Sequence, residues 1–534
     1  MPTLRERLRR TYFVLDARSL GLFRIVFAAV LSYDLCLRQR VLDSFYTNAG
    51  LLPNHTLLWA PPSGHVFSLF FCASTHAEAA LLMALCQLTF LALGLGLYTR
   101  LAQLASFVAI VSLNTRVALL ENGGDMVMNL LAMWSLFLPL GRRFSIDALL
   151  ASLRARKEVS ADELAERVAL HAGPHEHGSL AAVALILQFG VIYLFNVLHK
   201  GGPTWLEGSA VHYVLQQDRF VTGFGFWLRE HAPYPVLRAL SYLTMGIELL
   251  GALAILTPFG TRRARTFAVL VLPALHLGFA LCLRLGIFSF AMIAFFPLLL
   301  QPEHWAWLQR TLQRWHRPRT VFFDSSCGIC FLTARVLARM DLFGKLTLLA
   351  NTDHARLPPG VPAEMVDSTI VVVDAETGAL HTRARAIAEL LRALPGGFLL
   401  ALPLSLPGLH QLANAAYDRI AHNRARISVF FGMAACGLPG TRAQVAMPDA
   451  TSEASDLLAR ARHHASEGLV ALLMLAALGD LLNDNPVVPK ALRVPVPVLL
   501  ERLVEYPRTY QSWRMFAPHV PTDDLMIEVD ALTV

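Results

Sequence analysis

The sequence predicts a mostly α protein: a polytopic transmembrane helix bundle carrying an inserted cytoplasmic α/β domain. Three observations predict it. Hydrophobic residues make up 55% of the 534 residues and charged ones only 16%, against roughly a quarter charged in soluble domains. Apolar runs recur at the length a helix needs to cross about 30 Å of hydrocarbon. The stretch 319–445 breaks this pattern and alternates short strand-like and helical segments.

The elements follow in order. The start, "MPTLRERLRRTYFVLDARSLGLFRIVF", is basic and then apolar with no small-residue cleavage site, so it reads as an uncleaved signal-anchor. Candidate spans lie near 20–37, 78–97, 101–120, 126–141, 179–198, 240–258, 264–283 and 286–300. The fourth and eighth are short, which suits tilted or partly interfacial segments. Residues 42–77 are too broken by Pro and Gly to span. A ninth run, 468–482, is short; crossing is favoured over lying flat. The chain thus divides into a membrane domain (1–315), a soluble domain (319–445), and an apolar helix with a short tail (466–534).

The net charge is +7 with a pI near 9.2. No Arg/Lys tract with interleaved aromatics points to nucleic acid. The basic residues instead cluster where cytoplasmic loops belong, as in Arg5, Arg7, Arg9, Arg10, Arg142, Arg143, Arg262 and Arg263. A multi-pass cell-membrane protein with its N-terminus and 319–445 domain in the cytoplasm follows.

Of seven cysteines, Cys36, Cys72, Cys86 and Cys282 fall in or beside apolar segments and read as packing residues. Cys327 and Cys330 form a CxxC, and Cys436 stands alone. "RTVFFD", "KLTLLANTD" and "STIVVVDAETGAL" read as strands; 327–340 and "TRARAIAELLRAL" read as helices. This is a thioredoxin-like order. A cysteine in a first helical turn sees unpaired N–H groups and the positive end of the dipole, which favour thiolate. A second cysteine three residues on shares its face and can close a disulfide. A zinc site would need two more ligands. Inert thiols and a redox pair both remain open on spacing alone, and a cytoplasmic location disfavours a permanent disulfide.

"FFDSSCGICFLTARVLARMD", "MVDSTIVVVD" and "AAYDRIAHNRARIS" (415–428) resemble the DCC family of thiol–disulfide oxidoreductases. The resemblance implies a redox-active Cys327–Cys330 disulfide, with Cys327 as nucleophile, Cys330 as resolving thiol, Asp324 as a nearby carboxylate and a cytoplasmic thiol redox partner. Ser325 and Ser326 stand where the family has glycine after the Asp. The proline that thioredoxins place before the strand facing the disulfide is absent. "GGFLLALPLSLPGL" (396–409) suits a helix packed on the domain or lying on the membrane.

Ionisable residues inside apolar helices are functional candidates because their burial is costly. Arg24, Asp34, Asp125, Lys200, Glu248 and His276 qualify. Arg24 and Glu248 read as structural intramembrane charges, Arg24 pairing with an acid. Lys200 ends the fifth span, where a snorkelling anchor is the ordinary reading.

"YLFNVLHKGGPTWLEGSAVHYVL", 112–150, 275–299 and "LGLFRIVFAAVL" are similar to the vitamin K-dependent γ-glutamyl carboxylase membrane domain and its bacterial HTTM relatives. The resemblance covers about residues 10–315. It implies a reduced, vitamin K-like lipid quinone as cofactor and Lys200, ahead of Trp205 and Gly208, as the base. Asn114 and His276 fall on polar positions lining the reaction chamber, and Trp205 and Asp125 join Asn114 as substrate-binding candidates. The carboxylase's large lumenal region has no counterpart beyond the short tail, so carboxylation of a docked protein is not implied.

A lysine base must be neutral, and burial disfavours its charged form. Two functions follow from these readings. One is a membrane oxidoreductase: a carboxylase-like bundle handling a lipid quinol with Lys200 as base, plus a CxxC exchange domain. The alternative is a non-catalytic membrane anchor or assembly protein that displays the thiol domain. No metal is expected, and the partners are the bilayer, a lipid quinone and a thiol redox protein.

Overall fold

The computed structural model describes residues 3–523, apart from 60–66, 156–175, 316, 326, 343, 352–356, 358–360, 395 and 431–452. Ser326, Cys436 and the strand-like end of the tail lie outside the described residues. The chain packs as two units. One comprises Met1–Asp147, Pro174–Gln301 and Ser452–Val534; the other comprises Ala148–Gly173 and Pro302–Thr451.

The first unit is a helix bundle. Six helices are long and apolar enough to cross a membrane: Ala17–Gln39, His76–Leu95, Leu180–His199, Tyr234–Leu256, Thr261–Cys282 and Arg460–Asp484. The last is the ninth run, lengthened upstream into a continuous helix from Glu453. Three runs counted as spans differ from the sequence reading. Thr99–Arg116 carries buried Gln103, Asn114 and Arg116, Gly123–Ser135 is short, and Phe288–Phe295 gives way to a 3-10 turn. All three supply core residues to the bundle. A window of hydropathy cannot tell a helix facing lipid from one buried among its neighbours.

Local chemistry starts and stops these helices. The Asp16 carboxylate accepts from Arg18 N at 2.8 Å, Thr75 and Glu78 form a reciprocal capping box, and Ser179 accepts from Ala181 N. Leu180–His199 stops at Lys200, whose N–H still bonds Val197 O at 2.9 Å, just before Gly-Gly-Pro. Two glycines set the spacing of the three helices around the later site. A Cβ at Gly190 would lie 2.4 Å from Leu256, and one at Gly251 would lie 2.6 Å from Leu272. At the opposite end from Lys200, a two-stranded ribbon pairs β1 (Val14–Asp16) with β2 (Glu176–Gly178).

The second unit centres on a four-stranded sheet of β3 (Arg319–Phe323), β4 (Leu346–Ala350), β5 (Val371–Asp374) and β6 (Leu380–Thr382), in the order β4-β3-β5-β6. β3 and β4 are parallel; β3–β5 and β5–β6 are antiparallel. Alternation assigns the two faces. Val321, Phe323, Leu348 and Val372 pack with Ala334, Leu337, Ala386 and Leu390 of helices Gly328–Met340 and Arg383–Arg392. Phe322, Leu349, Val371 and Val373 pack with Val366 on the other face. The strands and helices read from the sequence are therefore present. The apolar 396–409 stretch forms helix Phe398–Ser405, which buries Ala401 and leaves Phe398, Leu399, Leu400 and Leu402 exposed.

Candidate functional site

Each unit carries one candidate site. In the bundle, a cavity of about 750 Å³ opens among Leu180–His199, Tyr234–Leu256 and Thr261–Cys282. Its walls are mainly aliphatic, with Ile192, Val214, Leu240, Ile247 and Met292 among them. Tyr193, Asn196 and Lys200 fall at helical spacing, so one face of one helix supplies three polar groups. Glu248 and Thr244 come from the second helix, and His276 from the third, three residues after Pro273.

Lys200 points inward and does not snorkel. Its Nζ lies 2.5 Å from Glu248 Oε2, and the two residues are only 4% and 3% exposed. Asn196 Nδ2 donates to Glu248 Oε1 at 3.0 Å. The Trp205 ring covers the amine, with Nζ 4.3 Å from its centroid. Tyr193 OH and His276 Nε2 are 2.7 Å apart. His276 Nδ1 and Asn196 Oδ1 are buried with no hydrogen-bond partner among the described residues.

The C-terminal tail completes the wall. Ser512, Trp513, Arg514, Met515 and Phe516 line the cavity. Phe516 O accepts from Trp205 Nε1 at 2.7 Å, Pro518 O from Gly202 N at 2.9 Å, and Thr204 Oγ1 from Val520 N at 3.0 Å. Arg508 Nε donates to Glu121 Oε1 at 2.8 Å upstream of it.

Several expected site residues lie together here and others do not. Lys200, Trp205, Glu248 and His276 all line the cavity. Glu248, read from the sequence as a structural intramembrane charge, is the partner of Lys200. Asn114 and Asp125 are not among the lining residues. Both are drawn to Arg38, whose Nη2 donates to Asn114 Oδ1 and Asp125 Oδ1, each at 2.7 Å. Arg38 Nε also donates to Asp34 Oδ2 at 2.6 Å, and Asn114 Nδ2 to Asn129 Oδ1 at 2.9 Å. A buried guanidinium gathers every acceptor within reach, which explains the diversion. Arg24 is met by a backbone carbonyl, Phe144 O at 2.5 Å, and not by an acid in contact.

The second site is the dithiol. Cys327 is the N-cap of Gly328–Met340, and its side chain makes no capping bond. Asp324 Oδ1 accepts from Cys327 N at 3.1 Å, while Asp324 Oδ2 lies 3.3 Å from Arg424 Nη1. Ser428 Oγ accepts from Ile329 N at 3.2 Å. Tyr417 OH accepts from Ile370 N at 3.0 Å and fixes the segment entering β5. Helix Leu409–Phe430, which holds the third quoted block, thus ties together both ends of the CxxC turn and the strand beside it. Burial, with the hydrogen bond to Cys327, pushes the Cys330 thiol up to about 12. Cys327 is 1% exposed, so a partner reaches its sulfur only after something moves. Among the described residues no cluster of three or more His, Cys, Asp or Glu could hold a metal.

Residues 12–305, more than half of the chain, match the model of the HTTM domain. The chain belongs to the HTTM family. Residues 321–430 match the DCC1-like thiol-disulfide oxidoreductase. The cavity lies in residues of the HTTM match and the C-terminal tail; the CxxC and its Arg424 and Ser428 ties lie wholly in the DCC1-like match. No curated protein and no solved structure matches the chain. The pairing of these two domains marks a membrane redox-related protein.

Sequence reasoning missed Tyr193, Asn196 and the tail. The first two carried a signal: their spacing from Lys200 is that of one helical face. The tail carried none, because its contacts reach residues far away in the sequence, 311 positions for Phe516 O with Trp205 and 316 for Val520 N with Thr204.

Proposed function

We propose that the HTTM bundle binds a reduced lipid quinone and that Lys200 takes a proton from its ring hydroxyl. One observation carries this reading: a lysine amine sealed from water at the polar end of an otherwise apolar cavity. The residues fit such a group. The volume suits a ring with part of an isoprenoid tail. His276 Nδ1 and Asn196 Oδ1 each keep a free hydrogen-bonding position. Leu243 and Leu270 line the cavity yet are 55% and 66% exposed, which favours entry of a tail from the bilayer between their helices.

When bound, the quinol supplies an ionisable hydroxyl on an electron-rich ring. The protein's part is to orient that hydroxyl between Nζ and the Tyr193–His276 pair, and to exclude water behind Trp205 and the tail. The proton then passes from oxygen to Lys200 Nζ: one O–H bond breaks and one N–H bond forms.

In the second domain Cys327 is the nucleophile and Cys330 the resolving thiol. The raised Cys330 keeps its proton and donates to the Cys327 sulfur, which leaves Cys330 as the resolving thiol. The basic N-terminus and loops support a cytoplasmic N-terminus and a cytoplasmic thiol domain serving a thiol redox partner in a cell membrane.

The test is extraction of purified protein followed by turnover. Wild-type protein carries a lipid quinone and, supplied with dioxygen as the two-electron acceptor, oxidises its reduced form. Lys200→Ala keeps the lipid and loses turnover about 10²–10⁴-fold, the range for a general base. Turnover equal to wild type would leave the bundle as an anchor for the thiol domain.

A further inference from the structure

The Lys200–Glu248 contact poses a problem of charge. An ammonium bonded to a carboxylate has no lone pair with which to accept a proton. We propose that Glu248 is the proton holder of the cavity: it takes the Lys200 proton when Lys200 acts as base, and stays protonated while an anionic ligand is bound. This rests on the quinol-binding reading above.

The steps balance. At rest, Lys200 holds its third Nζ proton and Glu248 is ionised. The proton crosses the 2.5 Å contact from Nζ to Oε2, leaving an amine and a carboxylic acid. The amine then takes the ligand's hydroxyl proton, and the ligand keeps the electron pair as an oxyanion. One cation and one anion occupy the cavity before and after; the ligand oxygen has replaced the Glu248 carboxylate as counter-ion. If Glu248 stayed ionised, two anions would face one cation in a water-poor cavity, which low polarity penalises.

The other ionisable groups lining the cavity are Tyr193, His276, Cys282 and Arg514. Arg514 is exposed, so solvent screens its charge. A protonated His276 would be a second cation, and its hydrogen bond is to the Tyr193 hydroxyl, not to a carboxylate. Glu248 is the acceptor in direct contact with Nζ. Asn196 pins Oε1, which leaves Oε2 facing the amine. Glu248 touches the proton only through Lys200 and is a positioning residue for the reaction.

The experiment uses full-length protein in detergent and a long-chain 4-nitrophenol as probe. Visible absorbance reports whether the bound probe is a phenolate. Infrared difference spectra, in H2O and D2O, report a protonated carboxyl stretch. The expected result is bound phenolate together with a deuterium-sensitive carboxyl band. That band shifts on ¹³C-glutamate labelling of the unmutated protein, disappears in Glu248→Gln and persists, displaced, in Glu248→Asp. Bound phenolate with no glutamate carboxyl band overturns the inference while leaving the binding reading intact. Failure to bind any phenolate overturns both.

Discussion

At the scale of single residues, the two proposed sites share one device: a candidate reactive group placed beside a partner that would control its proton. In the dithiol the partner is Cys330, whose thiol is pushed up to about 12, by burial first and then by Cys327. Cys330 therefore stays protonated at neutral pH. A raised folded-state value stabilises the fold below the ordinary thiol value and loses that contribution as pH climbs toward about 12. Alkylation at Cys330 in the Cys327→Ala variant, read by peptide mapping apart from the exposed Cys36 and Cys72, is expected to stay negligible up to about pH 9, while Cys327 in Cys330→Ala reacts as soon as it is uncovered. Fast alkylation at Cys330 itself in Cys327→Ala near neutral pH would contradict the assignment. The residues of both sites were legible to different degrees. Lys200 and His276 stood out because ionisable residues inside apolar helices are costly, and Cys327 and Cys330 by their spacing, whereas Trp205 and Asp324 came only from the family resemblances. Glu248 stood out too, but its partner is 48 positions away, and sequence distance hides such pairs. Asn114 and Asp125 were misplaced because nothing in the sequence marks Arg38 as the hub of the polar network that holds them.

At the scale of elements, the cavity exists because three helices meet closely at one end and diverge around polar side chains. Gly190 and Gly251 permit the close approach. Gly251→Val drives a side chain into Leu272, and overpacking of this kind costs about 1–3 kcal/mol. Lower thermal stability in detergent, with weaker lipid retention, is the expected outcome; an unchanged melting curve would show that Leu272 simply moves aside. The strands and helices of the thiol unit were readable because its sheet alternates cleanly and its helices are amphipathic. Six of the apolar runs read as spans are helices long and apolar enough to cross; the other three were readable as helices but not as spans. Arg116 shows why: its guanidinium meets Leu52 O at 2.6 Å inside the bundle, so the helix that carries it is satisfied by protein rather than by lipid or water.

At the scale of the whole molecule, the tail and the Lys200 end of the bundle are built as one piece, and the orientation of that piece decides which compartment the cavity faces. In the proposed orientation, with the N-terminus inside, Lys200 and the tail lie outside. A membrane-impermeant maleimide on intact cells is expected to label Arg514→Cys and to spare Arg10→Cys; the reverse pattern would invert the topology.

The most direct measurement concerns the base itself. Lys200→Arg keeps the positive charge and the pairing with Glu248, but a guanidinium does not deprotonate in a protein. Quinol turnover by this variant, at wild-type lipid content and stability, is expected to fall at least about 10²-fold. Full turnover with arginine at this position would mean that charge alone is needed there, and that Lys200 is not the base.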